Sequence, residues 1–98
     1  MKSLFEVIKE HNLSDKEINP ISKKNILLKR NIFYSVKLIP DSDRHIYLLK
    51  NWRWGIIGKV LFKKKHEEYI KFLDKVKSCL ESHNFKFIQL NYFPNSKD

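Results

Sequence analysis

Hydrophobic residues recur along the chain with two different periods. Near the start, Leu4, Phe5, Ile8 and His11 fall on one side of a short helix. Ser3 and Glu6 have capping-box spacing there, and Asn12 suits the helix end. Ser14 and Glu17 repeat the cap spacing, but Pro20 follows within a turn, so residues 12–25 read as a turn and linker. From 26 to 39 the chain is rich in β-branched and aromatic residues. Ile32, Tyr34, Val36 and Leu38 alternate with Phe33, Ser35, Lys37 and Ile39, the period of a strand. Pro40, Asp41, Ser42 and Asp43 supply a hairpin turn. Residues 45–53 continue extended with both sides partly covered, and Trp52 and Trp54 share a side. Residues 57–62 predict a further strand. After Lys65 the period lengthens: Tyr69, Phe72, Leu73, Val76, Cys79, Leu80 and His83 line one face of a long helix, and Glu67 and Lys71 stand at i,i+4 on the other. Glu67 and Glu68 suit the helix start, and Asn84 suits a left-handed cap. Phe85, Phe87 and Phe93, alternating with Ile88, Leu90 and Tyr92, predict a last short strand.

These elements define an α+β fold. A small antiparallel β-sheet of about three to four strands is packed by one long C-terminal amphipathic helix, with a short N-terminal helix ahead of it. The chain divides into an N-terminal helix and linker over 1–25 and a single α+β domain over 26–98.

Composition narrows the function. With 98 residues, 42% of them hydrophobic and 32% charged, the chain is one folded domain. A domain of this size buries roughly 60–65% of its unfolded surface, which favours a binding surface over a deep substrate cavity. The single cysteine, Cys79, allows no internal disulfide, and no uncharged run has the length of a signal peptide or a spanning helix. The expectation is a cytoplasmic protein in a reducing compartment, with no membrane partner.

Charge is unevenly distributed. Of the 20 Lys and Arg, twelve lie between residues 23 and 66 with only two of the 11 acids, a local excess of +10. This basic stretch is interleaved with Phe33, Tyr34, Tyr47, Trp52 and Trp54. Phosphate neutralisers alternating with stacking rings are the composition of nucleic-acid surfaces.

The middle of the chain resembles a WGR domain, the module found in poly(ADP-ribose) polymerases and bacterial WGR proteins. The residues that carry the resemblance are Asn31-Ile32-Phe33-Tyr34, Tyr47-Leu48-Leu49, Arg53-Trp54-Gly55-Ile56-Ile57-Gly58, and a helix with Phe72 and Lys77, over about residues 31–84. The resemblance implies a sheet-plus-helix module whose signature Trp packs on a sugar near a DNA end while an Arg reaches the backbone. Trp54, Gly55 and Gly58 match that signature, and Ile56 replaces its Arg. Arg53, Lys50 or Lys59 can supply the missing cation from adjacent positions. The order of elements is also similar to single-stranded DNA binders of the purine-rich-element and transcriptional-coactivator types.

The candidate nucleic-acid-binding residues are therefore Trp54, Arg53, Trp52, Lys50, Lys59, Arg44, Lys63, Lys64, Lys65 and Arg30. Cys79 and His83 stand at i,i+4, half of a metal site, but no second pair has ligand spacing, so neither a metal nor a cofactor is expected. No nucleophile stands beside a plausible base, and no enzyme is expected. The reading is a small, basic, largely sequence-independent DNA-binding domain that uses Lys/Arg phosphate contacts and Trp stacking. The alternative is a protein-interaction module or small regulatory protein, viral or carried on a mobile element, that meets an acidic partner and docks Leu4, Phe5 and Ile8 in a groove.

Overall fold

The computed structural model describes residues 2–14 and 25–91. Its elements run α1 (Leu4–Glu10), β1 (Ile26–Arg30), β2 (Tyr34–Pro40), β3 (His45–Trp52), α2 (Gly55–Leu61), α3 (Lys63–Ser82) and β4 (Lys86–Asn91). Most of the expected linker, together with Tyr92 and Phe93 of the expected last strand, lies outside the described residues.

Local chemistry accounts for most boundaries. The Glu6 N–H donates to Ser3 Oγ at 3.3 Å and caps α1, and Asn12 closes that helix with φ +53°. The expected strand over 26–39 is instead two strands. Asn31 Oδ1 accepts the N–H groups of Phe33 (2.8 Å) and Tyr34 (2.9 Å), folding the chain back so that β1 pairs with β2. Asn84, with φ +65°, ends α3 as its position suggests.

The sheet has the order β1-β2-β3-β4. Strands β1 to β3 form an antiparallel meander, whereas β4 pairs with β3 in parallel, so the sheet is mixed rather than wholly antiparallel. The crossover that a parallel pair requires is supplied by α2 and α3. One core unites Val7 and Ile8 of α1 and Tyr34, Val36, Leu38 and Leu48 of the sheet with Leu73, Val76 and Leu80 of α3. Leu4 and Ile8 are buried in that core and Phe5 packs against it, so α1 is part of the fold rather than a docking element for a groove.

Residues 57–62 form no strand. They lie in α2 and the junction Phe62, and Ile56, Ile57, Val60 and Leu61 are all exposed on this helix. Residues 57–62 read in sequence as the next strand, but the sheet already takes its third antiparallel strand from 26–30. Helix α3 also starts earlier than expected: Lys63, Lys64 and Lys65 occupy its first turn, ahead of Glu67 and Glu68.

A hydrogen bond and a ring contact from Tyr34 help tie α3 to the sheet. The Tyr34 hydroxyl donates to Glu68 Oε2 at 2.7 Å, and Tyr69 packs on the Tyr34 ring with centroids 5.2 Å apart. Burial pushes the Tyr69 phenol from 10.0 up to about 12. The unfolded chain ionises first, so the stability Tyr69 contributes is full below pH 10 and is lost as pH rises towards 12. Ultraviolet titration should find one tyrosine that ionises about two pH units after a normal phenol, with unfolding accelerating across that window.

Candidate nucleic-acid interface

The antiparallel register brings the end of β1, the start of β2 and the end of β3 to one edge of the sheet, and α2 and the first turn of α3 follow directly from it. This end of the molecule holds Arg30, Arg53, Lys59, Lys63, Lys64 and Lys65, all exposed. Asp41 and Asp43, the only acids between residues 23 and 66, lie at the opposite end in the β2–β3 turn.

Within this tip the two tryptophans have different fates. Trp52 is the last residue of β3 on the face under α3. Its ring packs against His66 (4.9 Å between centroids) and Tyr69 (5.8 Å), and its Nε1 donates to the Gly55 carbonyl at 3.0 Å. Trp54 lies beyond the strand at the start of α2, where its side chain remains 47% exposed. The expectation that the two share a side fails because the strand ends between them. Trp54 is nonetheless fixed in place: its Nε1 donates to the Ile32 carbonyl at 2.9 Å and its ring meets Phe62 edge-on at 5.1 Å. Phe62 in turn packs edge-on against Phe33 at 5.1 Å, and Lys65 Nζ stands 5.6 Å from the Phe33 centroid.

Both glycines serve this arrangement. Gly55 has φ +60°, a conformation costing other residues about 1–2 kcal/mol, and its carbonyl receives the Trp52 indole. Gly58 lies against Trp54, and a Cβ there would collide with Trp54 Cβ.

The remaining predicted residues do not all gather here. Lys50 is half-buried on β3, paired with Val36 on the helix-covered face. Arg44 immediately precedes β3, at the far end from Arg53 and about 30 Å away at normal strand rise. There its guanidinium lies 4.4 Å from the Phe85 centroid and donates to the His83 carbonyl at 3.3 Å, clamping the end of α3 to the start of β4. Arg44 is thus a structural cation and not part of the tip.

Sequence patterns did not reveal the aliphatic component. Ile32, whose carbonyl accepts the Trp54 indole, and Ile56, Ile57, Val60 and Leu61 of α2 have exposures from 69% to 80%. Their signal was the i, i+1, i+4, i+5 spacing of 56, 57, 60 and 61, a helical stripe that the β-branched residues disguised. Several exposed aliphatic residues on one short helix are characteristic of an interaction site. His66 adds no positive charge, because burial and the nearby Lys59 depress its pKa and leave it neutral at pH 7.

Chemically, the tip offers exposed cations and a half-exposed indole held by a hydrogen bond and a ring contact, a set suited to non-covalent capture of a polyanion with stackable parts. Among the described residues no helix is long and apolar enough to cross a membrane. Comparison with known protein families, curated proteins and solved structures finds no match.

Proposed function

We propose that the protein binds nucleic acid through this tip, largely without regard to sequence, in a reducing intracellular compartment. One observation carries the reading: Trp54 is held rigid and half-exposed among six exposed cations at the end of the sheet away from Asp41 and Asp43. Phosphates would be met by Arg30, Arg53, Lys59 and the Lys63–Lys65 turn, where three cations at a helix N-terminus repel the helix dipole until an anion neutralises them. Sugar or base would pack on Trp54. The WGR likeness supports DNA in this role, with Arg53 and Lys59 flanking the position where Ile56 replaces the signature cation.

Fluorescence anisotropy with short single-stranded DNA, blunt duplex DNA and RNA tests the proposal. Trp54→Ala should lose about 1–3 kcal/mol, or roughly 5- to 150-fold in affinity, since its ring supplies the stacking surface. Unchanged binding would remove Trp54 from the interface.

The exposed aliphatic residues favour a second reading, a protein partner with an apolar patch inside an acidic rim. The double change Ile57→Ser and Val60→Ser separates the two. It leaves the six cations and Trp54 intact, so nucleic-acid affinity should persist, whereas binding to a protein would be lost.

A further inference from the structure

Far from the tip, the structure brings together three metal-binding side chains from distant parts of the sequence. His11 is the residue at the C-terminal end of α1, and His83 holds the same place on α3. Their Nε2 atoms face one another at 3.2 Å, with ring centroids 5.4 Å apart and planes inclined by 58°. The Glu10 carboxylate lies beside them, so that one ligand atom from each of the three residues falls within 4.8 Å of the others. Cys79, the helical neighbour that spacing paired with His83, is not part of this group.

We propose that His11, His83 and Glu10 form a zinc-binding site that joins the end of α1 to the end of α3. A tetrahedral zinc ion with bonds of about 2.0–2.1 Å to two imidazole nitrogens places those nitrogens about 3.3 Å apart. The observed 3.2 Å is close to that value. A two-imidazole, one-carboxylate donor set is one that zinc takes, with a fourth position left for water. The carbonyl end of the 20-residue helix α3 lies here and Glu10 is anionic, with Arg44 on the His83 carbonyl as the opposing charge. Lys2 hydrogen-bonds the Glu10 carboxylate and holds its pKa below the ordinary carboxylate range. Zinc therefore competes with Lys2 for this ligand.

The ion would staple the N-terminal helix to the last turn of the long helix. Because the three ligands are assembled only in the folded chain, binding should stabilise it.

The test is a titration of the tag-free full chain with zinc by calorimetry, and with cobalt by visible absorption. The expected result is one metal per chain, with the absorption bands of tetrahedral cobalt and a Tm that rises with zinc and falls back with chelator. His11→Gln and His83→Gln should each weaken binding on the order of 100-fold and abolish the Tm rise. The two changes lie on different helices, and circular dichroism checks that each variant is folded. Lys2→Ala should tighten binding by releasing Glu10. The proposal is overturned if the wild-type chain binds no stoichiometric zinc, or if folded His11→Gln and His83→Gln bind it as well as wild type. In that case the two imidazoles simply share a hydrogen bond.

Discussion

Raising salt from about 50 to 200 mM should lower the affinity of the protein for a short DNA duplex by about a thousandfold. The figure follows from counting cations. Six exposed Lys and Arg share the tip with Trp54, and each phosphate they neutralise releases condensed counterions, giving a slope of about −0.9 per contact in log affinity against log salt. Six contacts give about −5 for duplex DNA and about −4 for a single strand, so the steepness also reports which form is bound. Arg44 is excluded from the count because Phe85 and the His83 carbonyl hold it at the far end. His66 is excluded because it is neutral. Arg44→Ala should therefore leave the slope unchanged, while replacing Lys63, Lys64 and Lys65 together should halve it. A flat response to salt would contradict phosphate binding at this surface.

Gly58→Ala should destabilise the fold by about 3 kcal/mol, the upper end of what overpacking costs. In an ordinary helix the same change is stabilising by about 1 kcal/mol, so the sign is diagnostic. The added methyl would meet Trp54 Cβ and approach Trp52 Nε1 to 3.4 Å. Neither obstacle is the loose end of a flexible side chain. Relief requires the first turn of α2 to open, which breaks the hydrogen bond from the Gly58 N–H to the Trp54 carbonyl and strains both indole hydrogen bonds. A stability of about 5–15 kcal/mol is typical of a domain this size, so the loss should be plain in urea unfolding. Nucleic-acid affinity should fall with it, as Trp54 loses its fixed orientation.

Secondary structure was legible in the sequence wherever the local signal and the tertiary outcome agreed. Ser3 with Glu6 marked the first helix, Asn84 marked the end of α3, and the stripe from Tyr69 to Leu80 marked the face that α3 buries. Three features required information that periodicity does not carry. Asn31 turned the chain through its side-chain oxygen, in the midst of residues that alternate equally well without a turn. Ile56, Ile57, Val60 and Leu61 have the composition of a strand, but no place in the sheet remained for them. The parallel placement of β4 depends on where two helices deliver the chain, which no property of residues 86–91 reveals.

The candidate site was legible in composition and only partly in position. Clustering of cations with indoles along the middle of the chain identified Arg30, Arg53, Trp54, Lys59 and the Lys63–Lys65 run. That same clustering included Arg44, because proximity in sequence cannot distinguish the two ends of a strand, and Lys50, because it cannot tell which face of the sheet is covered. It also grouped Trp52 with Trp54, although one supports α3 and the other faces outwards. His11 and His83 were invisible as a pair, since only the folded chain brings them together.

The parallel union of β3 with β4 also constrains how the molecule is assembled. Its residue partners, such as His45 and Lys86, are about 40 positions apart, so this seam carries the largest entropic cost of closure in the sheet. The meander can zip locally, but the last seam must await both helices. A chain interrupted during synthesis before Lys86 would present the rim of β3 bare, with its backbone donors and acceptors open to a neighbouring copy.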